Sequence, residues 1–346
     1  MKKAKKRQAK VLKYLVEEYI QNMQPVSSGL LSNKYLTQSS PAIVRLDLVK
    51  LEKKGYLFQP HTSSGRIPTV LGYRSYLKLI APDLIFEDQK QTKALRNLLL
   101  ENYRNPSQSL QFIMRLLAKQ TQQLSFVAEP EILYGYLKRL SVFKISSTKL
   151  LFVVSLSSGM DKTVIIKCDH EITEQQLNVL VKYANERFSG LRIFDIQNKY
   201  LVQNKQEESR EILRIFLIEL RNALSQLSNF YIHFDGNIAF LEQPEFDSKS
   251  SILTFFSLLR RQDILTKLMQ NCPIGKDYHV LMGEDLVRPE WAGFSLIFAR
   301  YELFGIPGFL GIVAPNRVDY KKHICLVRNY SQVITTTTSS SSIMRF

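Results

Sequence analysis

Residues 40–69 read Ser40-Pro41-Ala42-Ile43-Val44-Arg45-Leu46-Asp47-Leu48-Val49-Lys50-Leu51-Glu52-Lys53-Lys54-Gly55-Tyr56-Leu57-Phe58-Gln59-Pro60-His61-Thr62-Ser63-Ser64-Gly65-Arg66-Ile67-Pro68-Thr69. A hydroxyl residue followed by proline is a helix-start signal, since the side chain caps a free amide and proline fixes the first helical φ. Val44, Leu48 and Leu51 then recur at helical spacing and predict one buried face. Ile43, Leu46, Asp47, Lys50 and Lys53 are expected on the opposite face, with Arg45 on its flank. Gly55 ends the helix. The segments 56–59 and 66–69, separated by Ser63-Ser64-Gly65, predict a short hairpin.

Upstream, Val11, Leu12, Leu15, Val16, Tyr19 and Ile20 mark a first helix over 4–23, stopped by Gln24-Pro25. Ser27 and Ser28 start a second, short helix, and Thr37-Gln38-Ser39 turns into the third. Thr69 caps a fourth with Tyr73, Leu77 and Ile80 on one face. Residues 1–80 hold 15 Lys and Arg against 4 Asp and Glu, whereas the other 266 residues hold 32 against 27, so the net charge of +16 is concentrated in the first quarter. Paired short helices, a hairpin and a strong positive charge suit a polyanionic duplex.

In that reading the third helix enters the major groove. Arg45 is expected at a guanine edge or a phosphate, and Lys50 on the outward face that Arg45 flanks. Exposed Ile43 and Leu46 either meet thymine methyl groups or close a protein interface. Ser27, Ser28 and Ser40 at the helix starts, with His61, Ser63, Ser64 and Arg66 at the hairpin tip, suit phosphate or minor-groove contact.

Several segments together resemble the HrcA family of heat-inducible transcription repressors. They are Pro25-Val26-Ser27-Ser28, Ser40-Pro41-Ala42, Arg45, Asp47, Leu51-Glu52, Gly55-Tyr56-Leu57, Pro60 to Thr69, Gly72-Tyr73-Arg74, Pro244-Glu245-Phe246, Met282-Gly283-Glu284-Asp285 and Gly308 to Tyr320. Ile43 and Leu46 stand where that family usually has Thr and Asn, and Ala314-Pro315-Asn316-Arg317-Val318 where it has Gly-Pro-Thr-Arg-Met. The resemblance implies a homodimer that binds an inverted repeat, CIRCE, in double-stranded DNA upstream of chaperone operons, assisted by a GroEL-type chaperonin. It also implies an α+β multidomain fold: an N-terminal winged helix-turn-helix and a GAF-like domain interrupted by an inserted dimerisation domain.

The expected boundaries are 1–80 for the winged-helix DNA-binding domain and 81–137 for a helical linker and the start of the body. The GAF-like domain takes 138–167 and 235–336, the inserted dimerising domain 168–234, and a flexible tail 337–346. Alternation at Leu150, Phe152, Val154 and Leu156, the turn 157–161, and Val164 with Ile166 predict a hairpin. Thr173 and Gln176 form a capping box before a helix that Gly190 ends, and another helix follows over about 207–227. Segments 278–283, 294–301 and 308–314 read as strands, and 320–334 as a closing helix. Periodicity alone gives α+β with a helical insertion. The stripe Ile212, Ile215, Phe216, Leu220 and Leu224 serves either a dimer interface or an intramolecular core.

Cys168, Cys272 and Cys325 are widely spaced and lack a CxxC pair, so buried reduced thiols are expected; Cys168 and His170 form only a weak metal signal. No Walker loop, GxSxG or HExxH occurs. No enzyme activity and no cofactor are expected, with an enzyme carrying an appended DNA-binding domain and a ligand-responsive regulator as the alternatives. RNA binding or a membrane-adherent surface is a further alternative, because charge alone is unspecific. Glu17 and Glu18 interrupt the apolar positions behind the basic start, and no charge-free run reaches a membrane span, so a cytoplasmic location without membrane insertion is expected.

Overall fold

The computed structural model describes residues 2–84, 89–101, 106–129, 131–201, 211–227 and 231–339. Its N-terminal module runs α1 (Lys2–Asn22), α2 (Ser28–Lys34), α3 (Pro41–Lys53), β1 (Leu57–Phe58), β2 (Ile67–Pro68) and α4 (Val70–Ile80). Ser27, Ser40 and Thr69 cap α2, α3 and α4 by accepting from the amides of Leu30, Ile43 and Gly72. Pro41 sits in the first turn of α3. The strands pair antiparallel, Leu57 with Pro68 and Phe58 with Ile67. Val11, Leu15, Leu31, Val44, Leu48 and Leu57 pack into one core.

Two helices, α5 (Gln89–Glu101) and α6 (Pro106–Thr121), lead to the body, a five-stranded antiparallel sheet in the order β7-β3-β10-β9-β8. The strands are β3 (Leu124–Ala128), β7 (Ile232–Asp235), β8 (His279–Met282), β9 (Phe294–Leu303) and β10 (Ile306–Pro315). Both faces are covered, so β3 and β10 are buried at every position; β10 reads as a continuous apolar run, and β3 carries one buried hydroxyl, Ser125. On one face Phe126, Leu296, Phe298 and Phe309 pack beneath α9 (Asn237–Leu241), α10 (Lys249–Arg260) and α11 (Gln262–Gln270). On the other, Ile297, Ala299, Tyr301, Leu310 and Ile312 join a core with α12 (Tyr320–Ser339). Gly311 is paired with both Phe126 and Phe298, and a Cβ there would come within 2.8 Å of the Phe126 ring. The Phe126 ring, the Phe298 Cβ and the Ile297 carbonyl fill the room that its missing side chain leaves.

A separate three-stranded sheet, β4 (Leu137–Ser146), β5 (Lys149–Leu156) and β6 (Asp161–Lys167), stands between β3 and β7 in the chain. Its inward residues Leu140, Leu150, Phe152, Val154 and Ile166 pack with α7 (Glu174–Phe188) and α8 (Glu211–Leu227). Sequence reading groups 138–167 with 235–336, whereas strand pairing separates 137–167 from the five-stranded sheet, and its core packs with the helices that follow it. The five-stranded sheet recruits Leu124–Ala128 instead, a stretch of five residues too short for alternation to reveal.

Two further points are decided by the structure. Phe216, Leu220 and Leu224 are buried within the chain, with Phe216 stacked on Phe152 at 6.2 Å, so the stripe on α8 is intramolecular core and only its edge at Ile212 is exposed. Residues 337–339 are the last turn of α12 rather than a loose tail. Thr337 and Thr338 are buried there, and Thr338 Oγ1 bonds the Ile334 and Glu302 carbonyls at 3.0 and 3.1 Å. A threonine that returns its hydroxyl to the preceding turn is compatible with a helix. Residues 340–346, and the 207–210 start expected for α8, lie outside the described residues. Among the described residues no helix is long and apolar enough to cross a membrane.

Candidate nucleic-acid interface

The geometry of α3 separates its residues more sharply than sequence reading does. Val44, Asp47, Leu48 and Leu51 are buried, while Ile43, Arg45, Leu46 and Lys50 are exposed, Leu46 at 61%. Asp47 therefore does not belong to the outward face on which it is expected. It is fully buried, paired with Arg7 of α1 and bonded by Gln8 at 3.3 Å. Positions 44, 47, 48 and 51 complete the i, i+3, i+4, i+7 pattern, so spacing places it inward and only its charge argues otherwise.

Arg66 also departs from expectation. Its side chain is 12% exposed and donates to Glu52 of α3 at 3.1 and 3.3 Å, while its backbone exchanges two 2.9 Å hydrogen bonds with Val26. It fastens the hairpin to α3 and to the start of α2, rather than offering a free cation at the tip. Ser64 Oγ accepts from the His61 amide at 3.0 Å and donates to its carbonyl at 2.7 Å, closing the turn. His61 and Ser63 remain exposed. Gln59, which sequence reading passes over, donates from Nε2 to the Thr62 and Ser64 carbonyls, both at 2.9 Å, and fixes the loop shape.

Ser27 and Ser40 are exposed but both serve as caps, accepting at 3.2 and 3.4 Å from backbone amides, and Ser28 is half-buried in the first turn of α2. Exposed Leu30, at 38%, extends the apolar part of the surface in a way no spacing rule singled out.

The electrostatics follow from where the acids go. Glu18 is buried beneath Lys34 and Tyr35, whose hydrogen bonds hold its carboxyl below the usual range. Asp47 pairs with Arg7, Glu52 with Arg66, and Glu17 is half-buried with its carboxyl pushed up by burial. The four acids of the module thus lie inward or paired, while Lys5, Lys6, Lys10, Arg45, Lys50, Lys53 and Lys54 are exposed. Such a surface attracts phosphates without being neutralised by its own carboxylates.

The module is also fixed to the body. Arg74 of α4 donates to the Met282 carbonyl at 3.0 Å and pairs with Asp285 at 2.9 Å. Tyr73 and Tyr76 pack against Tyr320, with ring centroids 5.8 and 6.5 Å apart. Arg317 reaches the Ile20 carbonyl at 3.1 Å and Glu245 at 2.9 Å.

Residues 107–324 match the family described as HrcA protein C terminal domain. The chain belongs to the HrcA family. It is 29% identical over 336 residues to the heat-inducible transcription repressor HrcA of Natranaerobius thermophilus, covering 95% of each chain. The HrcA repressor of Chlorobium phaeobacteroides is 28% identical over 337 residues, 94% of this chain and 95% of that one. A crystal structure described as a hypothetical protein superposes with a TM-score of 0.59 over 96% of this chain and 98% of that one; at 22% identity the likeness is one of fold.

The segments that carry the HrcA resemblance meet in space. Gly72-Tyr73-Arg74 abuts Met282-Gly283-Glu284-Asp285, and Arg317 joins Glu245 to the end of α1. At Gly72 a Cβ would fall 2.2 Å from the Tyr56 carbonyl oxygen, so only glycine lets α4 approach the hairpin. Among the described residues no group of three or more His, Cys, Asp and Glu is placed to hold a metal ion. Cys168 is buried and its thiol donates to the His170 carbonyl, not to that imidazole.

Proposed function

We propose that this chain is a heat-inducible transcription repressor that binds inverted-repeat double-stranded DNA as a homodimer. The observation that carries the reading is the division of α3: an apolar face and Asp47 turned inward, Arg45, Lys50, Ile43 and Leu46 turned outward, on a module whose acids are buried or paired. The names of the HrcA relatives support it. In this reading the module is a winged helix-turn-helix, α3 lies in the major groove, and the β1–β2 hairpin is the wing that follows the adjacent backbone. Repression needs no chemistry, since bound protein occludes the promoter.

Two copies read two half-sites and combine their binding energies through effective concentration. The second copy is assigned to the open face of the three-stranded sheet. There Phe143, Leu151 and Ile165 stand in register across the strands, with Phe143 and Ile165 about half exposed, and Ile145 extends the patch. The five-stranded body is GAF-like in this reading. The operator is the CIRCE repeat, and heat relieves repression because a loss of about 1–2 kcal/mol lowers the active population several-fold unless a GroEL-type chaperonin restores it.

Fluorescence anisotropy at fixed salt with an inverted-repeat duplex, a scrambled duplex and a structured RNA tests the reading. Preference for the repeat, lost on heating and restored by chaperonin, is the expected result. Equal affinity for all three nucleic acids, or a strictly monomeric protein by sedimentation, rejects it.

A further inference from the structure

The face of the five-stranded sheet beneath α9–α11 is apolar but for His279 at its β8 edge until its last row. Along β9 the alternation that turns Leu296 and Phe298 into this layer brings Arg300 to the same side, opposite Phe309 of β10. His279 of β8 is paired with Phe298, and their rings stack at 5.1 Å. A guanidinium thus stands where the pattern calls for an apolar side chain. Arg300 is half-buried, and among the described residues no carboxylate lies within ion-pairing distance of it.

Beside Arg300 is a cavity of about 220 Å³, closed by the end of α11 and the loop that follows, and lined among others by Glu131, Met269, Lys276, His279 and Phe309. We propose that this cavity binds a small organic carboxylate bearing an apolar group, with Arg300 gripping the carboxylate. A guanidinium presents a planar fork that matches a carboxylate bidentately. Buried Met269 and Phe309 supply the apolar wall. The volume lies below the range of drug-sized sites but above the roughly 150 Å³ that accommodates a benzene ring.

Charge favours a monoanion over a dianion. Burial and nearby Lys276 depress the His279 imidazole, which leaves it neutral at neutral pH. Arg300 and Lys276 then face one carboxyl, Glu131, to which Gln270 donates at 3.4 Å. With Glu131 ionised the walls carry one excess positive charge, and the same carboxylate repels a dianion such as phosphate.

The test is calorimetric titration of the purified full-length protein with benzoate, benzyl alcohol and inorganic phosphate. Saturable benzoate binding, at least tenfold tighter than either alternative, is expected. Arg300→Gln weakens it at least tenfold, Arg300→Lys weakens it less because charge remains without the fork, and Lys322→Gln on the far side of the sheet leaves it unchanged. Circular dichroism establishes that each variant is folded. No saturable binding, equal binding of benzyl alcohol, tighter binding of phosphate, or full affinity in folded Arg300→Gln overturns the proposal.

Discussion

Arg74 and Asp285, 211 positions apart in the chain, lie 2.9 Å from each other and join α4 of the N-terminal module to the loop after β8. Both side chains are about one-third exposed, so the ion pair itself is screened and contributes little. Beside it Tyr73, Tyr76 and Tyr320 are almost fully buried against one another. The apolar ring contact holds the module, and the ion pair sets its orientation.

Arg74→Ala is accordingly expected to lower stability by about 1 kcal/mol or less, whereas Tyr73→Ala costs about 3–5 kcal/mol, the range for deleting a buried aromatic side chain. Urea unfolding measures both. Equal costs for the two variants contradict this division of labour.

Gly72→Ala places a methyl group against the Tyr56 carbonyl, which belongs to backbone and cannot rotate away. Overpacking of this kind typically costs about 1–3 kcal/mol. The variant should lose thermal stability together with DNA affinity, and a wild-type melting temperature would show that α4 and the hairpin separate freely.

Arg45 and Arg66 should fail differently. Arg45→Ala removes an exposed group and is expected to relax discrimination between operator and scrambled duplex by about 1–3 kcal/mol at unchanged melting temperature. Arg66→Ala removes the tie to Glu52, so it should weaken binding to every duplex and lower the melting temperature, and Glu52→Gln should resemble it. Arg66→Ala with wild-type stability would return Arg66 to the role of a free phosphate contact.

His323 is 5% exposed, bonded through Nε2 to the Thr121 carbonyl at 3.1 Å with Nδ1 unpartnered, and burial depresses its pKa; His233 and His279 are depressed in the same sense. In the unfolded chain each imidazole titrates near its ordinary value of 6.5. Below that pH the unfolded state binds the proton more readily, so stability is complete above about pH 6.5 and is lost as pH falls toward the folded-state values. Melting temperatures between neutral and mildly acidic pH should fall, and His323→Gln should flatten the fall. A curve independent of this histidine refutes the assignment.

Phe216→Ala and Phe143→Glu separate core from interface. Phe216 is buried against Phe152, and its truncation should cost about 3–5 kcal/mol in chemical unfolding. Phe143 is 56% exposed, so Phe143→Glu should leave stability nearly intact and abolish dimerisation in sedimentation. A dimeric Phe143→Glu protein places the second copy elsewhere.

The N-terminal helices were legible because their signals are local: Ser27, Ser40-Pro41 and Thr69 act within one turn, and an amphipathic stripe needs only neighbours three and four residues away. Strands β9 and β10 were legible from their apolar runs. The partition of the strands was not, because Leu124–Ala128 gains its meaning only from β10, nearly two hundred residues later. The candidate surface was half legible. Exposure of Arg45 and Lys50 follows from helical phase, but the engagement of Arg66 by Glu52, the burial of Asp47 beneath Arg7 and the closure of the hairpin by Gln59 depend on side chains meeting across elements.

The amino-acid order by itself determined where helices begin, which face of α3 is apolar, and that positive charge gathers in the first eighty residues, because caps, periodicity and composition are properties of short windows. Tertiary structure alone decided which charges remain available to a ligand, which sheet each strand joins, that the stripe on α8 is core, and that Arg300 faces a cavity. An ion pair or a strand pairing depends on distance in space, and residues far apart in the chain acquire that distance only when the chain closes on itself.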